Sequence, residues 1–299
     1  SVSSLSVLRR MTLAIQNRGP DDEGFWIDEA CGVALGHRRL SILDLSPAGH
    51  QPMISADGRF VIIFNGEIYN YRELRADLET SGKAPSWRGH SDTEVVLAAF
   101  CAWGLIDSLK RFNGMFAMAV WDRRDRVLTL ARDRAGEKPL YYGWQGKVFL
   151  FGSELKALAV HPAWRPEIDR NALAAYMRYA YVPAPWSIFH DIFKLEPGSL
   201  LKISTDSQPG VLPKAEYYWS IGDVVEAGLS SPLAPKDEAA IDELEKLLRR
   251  AVLLRMESDV PLGAFLSGGV DSSTVVALMQ AQSSRAVRTF SIGFERADY

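Results

Sequence analysis

"FVIIFNGEIYNYRELRADLETSG", residues 60–82, changes its hydrophobic rhythm part-way along. "FVIIFNG" is an unbroken β-branched and aromatic run, which predicts a strand buried on both faces, since a strand with one wet face would alternate. "NYRELRADLETSG" carries helical spacing and stops at Gly82, a residue suited to ending a helix. Helix laid on sheet is the architecture such a succession calls for.

The neighbouring segments repeat the theme. "SDTEVVLAAFCAWG" opens with a capping box, Ser91 and Glu94, and closes at Gly104, so it predicts a helix. "MFAMAVWDRRDRVLTLARD" predicts two strands around a charged turn, and "LYYGWQGKVFLFG" two more around Gln145-Gly146. "SELKALAV" and "DRNALAAYMRYA" predict further helices. Helices packed on antiparallel sheet are expected from residue 24 or so to about 200.

Beyond that point the pattern shifts. "STDSQPGVLPKAEYYW" and "AGLSSPLAPKDEA" concentrate Pro, Gly and Ser, the composition of a connection between folding units. We place the boundary near 215, giving domains at 1–215 and 216–299, as suits a chain of 299 residues. "KDEAAIDELEKLLRRAVLLRM" puts Ile241, Leu244, Leu248, Ala251 and Val252 on one helical face. Strand "VPLGAFL", turn "SGGVDSS", helix "TVVALMQAQ" and strand "VRTFSIGF" then form a β-α-β unit, the beginning of a parallel sheet.

Composition bounds the partners. A formal charge of -3 with acids and bases scattered along the chain offers no footprint for nucleic acid or an anionic membrane. No apolar run approaches the roughly 20 residues of a membrane-spanning helix, and "SVSSLSVLRR" lacks the pattern of a secretory signal, so a cytoplasmic protein is expected. The two cysteines, Cys31 and Cys101, and five dispersed histidines build neither a disulfide framework nor a zinc pattern. Each cysteine is expected to be a small buried hydrophobe.

Two constellations carry chemistry. In "FLSGGVDSS" a strand runs through Gly268-Gly269 into a helix, where free N–H groups favour an anion and Ser267, Ser272 and Ser273 add hydroxyl donors. The Gly-Lys-Ser/Thr ending of the common phosphate loop and the Gly-x-Gly-x-x-Gly spacing are both missing. The second constellation is spread over "HRRLSILD", "FNGEIYN" and "GHSDTE". An amino-acid substrate needs a cation for its carboxylate, which Arg39 offers, and anions for its ammonium, which Glu67 and Asp92 offer. Asn65 and the N–H of Gly66, expected on a sharp turn after the buried strand, can converge on one oxyanion. Singly, each has a plainer explanation: a surface ion pair, an ordinary turn, the first turn of a capped helix.

In combination they match a family. "NRGPD", "RLSILDLSPAGHQPM", "FNGEIYN", "SDTEVVL", "FNGMFAMAVWD", "ARDRAGEKPLYYG", "SELKAL" and "LSGGVDSS", in this order, resemble the glutamine-hydrolysing asparagine synthetases, and "LSGGVDSS" by itself resembles the PP-loop of ATP pyrophosphatases. The resemblance implies an α+β then α/β chain: an αββα N-terminal-nucleophile sandwich, then the start of a parallel-sheet ATP pyrophosphatase domain. It implies glutamine, aspartate and ATP as substrates, with ammonia from glutamine amidating an adenylated aspartate and AMP and pyrophosphate released. Arg39 would hold the glutamine carboxylate, Glu67 and Asp92 its ammonium, Leu40, Ser41, Ile42 and Leu43 would line the pocket, and Asn65 and Gly66 would form the oxyanion hole. Leu266, Ser267, Gly268, Gly269, Val270, Asp271, Ser272, Ser273 and Ile292 would bind ATP, with Asp271 on Mg2+.

The match fails at position 1. Ser1 and "SVSSLSV" differ from the family's Cys-Gly-Ile opening, and the internal Cys31 has no free α-amino group to assist it. We therefore expect a short N-terminal segment to be lacking, with residues 1–16 a helix after a missing first strand, and the second domain to continue past Tyr299; the fragment alone is expected to be inactive. Three alternatives stay open: an amidotransferase acting on another carboxylate, an ATP-dependent ligase similar to β-lactam synthetases, and a non-catalytic glutamine-binding module. The acceptor, the true first residue and the pathway are unreadable here, and a homo-oligomer is left open.

Overall fold

A computed structural model describes residues 3–232 and 237–293, so parts of the linker and of the last predicted strand, 233–236 and 294–299, lie outside the described residues, as do Ser1 and Val2. The chain divides into two compact units, Ser1–Asp223 and Val224–Tyr299.

The first unit begins with helix α1 (Ser4–Leu13), capped by the Ser3 side chain, and a hairpin of β1 (Asp22–Asp28) and β2 (Val33–Arg39). After the short β3 (Met53–Ile54) comes β4 (Phe60–Ile68), then helices α2 (Tyr71–Thr80), α3 (Asp92–Trp103) and α4 (Leu105–Arg111). Strands β5 (Gly114–Asp122), β6 (Val127–Arg132), β7 (Tyr141–Gln145) and β8 (Val148–Gly152) lead to helices α5 (Leu155–Ala159) and α6 (Arg170–Tyr179). Strands β9 (Ile192–Lys194), β10 (Ser199–Ser204) and β11 (Glu216–Tyr217) complete it. A six-stranded antiparallel sheet forms in the order β11-β10-β6-β5-β4-β3, beside the β1–β2 hairpin and a three-stranded sheet β8-β7-β9.

The β4 run is buried on both sides because it lies inside that sheet between two layers. Ile62 and Phe64, with Phe116 and Met118 of β5, pack against Leu78 of α2 and Val96 and Phe100 of α3. The alternate residues Val61, Ala117, Ala119 and Trp121 pack instead against Leu35 of β2 and Tyr142 and Trp144 of β7. The outer face of the smaller sheet is covered in turn, with Leu150 and Ile192 against Ala157 and Leu158 of α5 and Met11 of α1. The stacking is therefore helix, sheet, sheet, helix. Each large side chain taken fully from water adds about 1.5–3 kcal/mol.

Several expectations need amendment. Residues Asp92–Phe100 of α3 are buried throughout, but Cys101 beyond them is exposed and Cys31 only half-buried, so neither is a core residue. The capping box is half formed: Ser91 accepts from Glu94 N at 3.3 Å, while the Glu94 carboxylate reaches upstream to Arg88 N at 2.9 Å and Gly89 N at 3.1 Å. The second hairpin turns at Gly146-Lys147, because Gln145 still pairs with Val148.

Helix α7 (Ile221–Ser230) runs across the division between units. In the second unit α8 (Asp237–Arg255) is followed by β12 (Gly263–Phe265), α9 (Val270–Ala281) and β13 (Arg288–Phe290), the two strands pairing in parallel. Its small core joins Val252 to Leu278 and Met279. Of the apolar face read on α8, only Val252 is buried; Ile241 and Leu244 are exposed. None of the described helices is long and apolar enough to cross a membrane.

Candidate active site

One edge of β4 organises the site. Phe116 donates its N–H to Asp133 Oδ2 at 3.1 Å and accepts from Asp133 N at 2.8 Å, so its backbone groups face away from β4. Its register partner Gly66 consequently turns its own N–H to the opposite edge, since hydrogen-bonding direction alternates residue by residue. On that same edge Phe64 N donates to Gln51 Oε1 at 2.7 Å, and Ile68 N donates to Asp92 Oδ2 at 2.9 Å. Gly66 stands between these two satisfied positions and faces a cavity of about 390 Å3.

Asn65 and Gly66 are not on a turn, as the Asn-Gly pair suggested, but within β4, opposite Ala117 and Phe116. Close approach explains the glycine: a Cβ at position 66 would stand 2.1 Å from the Met115 carbonyl oxygen. The Asn65 side chain follows Val61 and Ile63 toward the space between the sheets, and its buried Nδ2 has no hydrogen-bond partner among the described residues. A buried amide donor without a partner costs about 1–3 kcal/mol, so this orphan marks a place meant for an acceptor.

Arg39, Leu40, Ile42, Leu43, Asn65, Gly66, Glu67 and Asp92 all line the cavity. Ser41 does not; its N–H is held by Asp21 Oδ2 at 2.8 Å. The Arg39 guanidinium is anchored by its own loop, with Nη2 donating to Leu43 O at 2.9 Å and Asp44 O at 2.6 Å. Asp44, fully buried, accepts from Ser46 N at 3.1 Å and His90 N at 2.8 Å, which ties the arginine loop to the start of α3. Burial opposes the Asp44 charge, yet these hydrogen bonds hold its carboxyl below the usual range.

The electrostatics divide by position. Burial, reinforced by the Glu67 charge, pushes Asp92 up to about 6, so it is charged at neutral pH but close to protonation. Burial and the Arg39 charge push His37 on β2 down to about 4, leaving a neutral imidazole in the cavity wall. His37, Gln51 and Lys138 line the cavity without having been singled out from sequence. A second, mostly apolar cavity of about 410 Å3 adjoins the first, sharing His37 and Asn65, and is lined along its sides by β2 and β8.

In the second unit α9 starts at Val270, earlier than expected, so Asp271, Ser272 and Ser273 occupy its first turn. Gly268 has φ +82, and a Cβ there would meet nothing within 4 Å, which leaves open space over the loop. Ser267 and Ser272 share a hydroxyl contact of 3.0 Å, and no side chain caps the helix. Leu266 N donates to Phe290 O at 2.8 Å, which docks the loop on β13, while Val270 and Ile292 are strongly exposed. Among the described residues no cluster of three or more metal-binding side chains occurs, so Asp271 is the lone carboxylate of the loop.

A family model described as the glutamine amidotransferase domain matches residues 1–219. The chain belongs to this glutamine amidotransferase family. A second model, asparagine synthase, matches residues 243–299. A Methanocaldococcus jannaschii protein named provisionally as a glutamine-hydrolysing asparagine synthetase is 41% identical over 96% of this chain and 56% of its own length. Asparagine synthetase 1 of Bacillus subtilis, also named glutamine-hydrolysing, is 38% identical over 98% of this chain and 43% of its own. The chain thus spans about half the length of the curated relatives it matches.

For the fold, glutamine phosphoribosylpyrophosphate amidotransferase from B. subtilis superimposes with a TM-score of 0.52 at 19% identity, covering 95% of this chain and 62% of that one. That likeness places the mixed α/β architecture among glutamine amidotransferase folds. Besides His37 and Lys138, sequence reasoning missed residues that serve through backbone partners: Gln51, Asp44 and Asp133 satisfy main-chain groups of strands and loops distant in sequence.

Proposed function

We propose that the first unit is the glutamine-hydrolysing part of a glutamine-dependent asparagine synthetase, built as an N-terminal-nucleophile sandwich, and that the second begins its ATP pyrophosphatase domain. The observation that carries the reading is the unpartnered Asn65 Nδ2 beside the outward-facing Gly66 N–H. Two preorganised donors in the wall of one cavity would stabilise the oxyanion formed when water replaces ammonia on the glutamine side chain. Arg39 clamps the α-carboxylate, and Glu67 and Asp92 receive the ammonium group.

The apolar cavity supports a further part of this reading. β2 and β8 are edge strands of two separate sheets, and residues of both line the apolar cavity, as does Asn65. Unpaired edges accept a strand. An extended segment lying there would join the two sheets and bring a nucleophile to the oxyanion donors. In the second unit, Ser267, Ser272, Ser273 and the free N–H groups of α9 would hold the pyrophosphate portion of ATP, for which the open space over Gly268 leaves room. Bound Mg2+ would supply charge neutralisation on the departing oxygens, and Asp271 would be the residue of this loop that holds it.

The test is asparagine formation by the intact enzyme with glutamine or with free ammonia as nitrogen donor. Asn65→Ala is expected to lower the glutamine-dependent rate by about a hundredfold or more while leaving the ammonia-dependent rate intact. Equal loss with both donors, or product formation from neither by the unaltered enzyme, would overturn the reading.

A further inference from the structure

Four cations line the polar cavity; two are held in ion pairs, and the third, Arg39, is the clamp for the α-carboxylate. Arg18 Nη1 lies 3.0 Å from Glu154, Arg38 Nη1 2.8 Å from Glu23, and Arg39 caps the carbonyls of Leu43 and Asp44. The fourth, Lys138, is half-buried, and among the described residues its ammonium has neither a hydrogen bond nor an ion pair. Its backbone is nevertheless fastened on both sides. Lys138 N donates to Asp133 Oδ2 at 3.0 Å, and Lys138 O accepts from Arg132 Nε at 2.7 Å. A long side chain on so rigid a base loses less entropy when it meets a ligand than one on a loose loop.

Position indicates what the ligand charge is. Asp133 Oδ2 also holds Phe116 N at 3.1 Å, and Phe116 faces Gly66 across the sheet. Lys138 therefore lines the cavity from the β6-facing edge of β5, a different part of the fold from residues 39–43, which supply the carboxylate clamp. Neutral glutamine brings one carboxylate, already answered by Arg39, and an uncharged amide. Hydrolysis places negative charge on that amide oxygen and ends with a γ-carboxylate and ammonia.

We propose that Lys138 is a charge-selective binding residue for the reacting end of the substrate, recognising the oxyanion and the γ-carboxylate in preference to the neutral amide. This rests on the glutamine reading of the same pocket. A cation matched to charge that only the reacting state carries is the kind of interaction that speeds a reaction rather than tightening substrate binding.

Calorimetry on the 299-residue chain at neutral pH, titrated with glutamine and with glutamate, tests it. Lys138→Met is expected to weaken glutamate binding by about tenfold or more and glutamine binding by less than about threefold, whereas Lys138→Arg keeps both. Equal weakening of both ligands would place Lys138 at the shared α-carboxylate and overturn the proposal, as would no change. If Lys138→Met does not fold, Lys138→Gln takes the same test. An unaltered chain that binds glutamine but not glutamate sinks only the Lys138 assignment; one that binds neither sinks the glutamine reading with it.

Discussion

Removing the Asn65 side-chain amide should damage catalysis and spare the fold, and the two effects can be sized separately. For catalysis, loss of one oxyanion donor costs about 2.7–4 kcal/mol, two to three orders of magnitude in rate. For stability the sign is reversed. The native protein carries Nδ2 buried and unpartnered, a standing cost of about 1–3 kcal/mol that Asn65→Ala removes. Against that stands truncation of a half-buried side chain at the wall of an existing cavity, on the order of 1 kcal/mol. The balance runs from neutral to about 2 kcal/mol of stabilisation. In a unit of this size that is a rise in melting temperature of up to about 6 °C.

Differential scanning calorimetry of the 299-residue chain with and without Asn65→Ala measures the stability side, and the glutamine-dependent rate of the intact enzyme measures the other. A fall in melting temperature of more than about 6 °C would show that the amide is bonded to the protein rather than waiting for an oxyanion. The whole functional reading would lose its central observation.

Three other expectations follow from particular contacts. Gly66→Ala would press a methyl group 2.1 Å from the Met115 carbonyl, a backbone atom with nowhere to move, so urea denaturation should report a loss above about 2 kcal/mol or failure to fold. Asp133→Ala strands the N–H groups of Phe116, Ala135, Glu137 and Lys138, and at about 1–3 kcal/mol for each group left dry it should cost more than any single cavity substitution, read by the same titration. Asp92 is held to about 6 in the fold against an ordinary value of 3.8, so between those pH values the folded state keeps a proton the unfolded chain has lost, and stability falls as pH rises. Asp92→Asn should therefore stabilise at pH above about 6, by on the order of 2–3 kcal/mol, and make no difference well below pH 4, while weakening glutamine binding above about pH 6, where Asp92 is charged.

What could be read from the sequence was what depends on local rhythm. The β4 run, α3 with its Ser91 cap, and the β-α-β order around Gly268 all announce themselves through periodicity and a terminating glycine. What could not be read depends on a partner far along the chain. Ile241 and Leu244 have the right spacing for a buried face, yet among the described residues nothing in the second unit covers them. Cys101 sits in an apolar run whose last turn emerges from the core.

Asn65 and Gly66 show the difference most sharply, because the same dipeptide is a strong turn signal. The strand continues through them because their backbone neighbours are all accounted for. β5 pairs on one side, and on the other Gln51 and Asp92 supply from their side chains the acceptors that a further strand would have given. β3 begins only at Met53, opposite Ile62, so that edge of β4 would otherwise be bare over Phe64–Ile68. Starting β3 late and patching two of the three exposed N–H groups leaves the third, on Gly66, pointing into a cavity. An oxyanion hole of this kind requires an interrupted sheet edge more than a special loop, and an interrupted edge is a relation among strands that no short stretch of sequence contains.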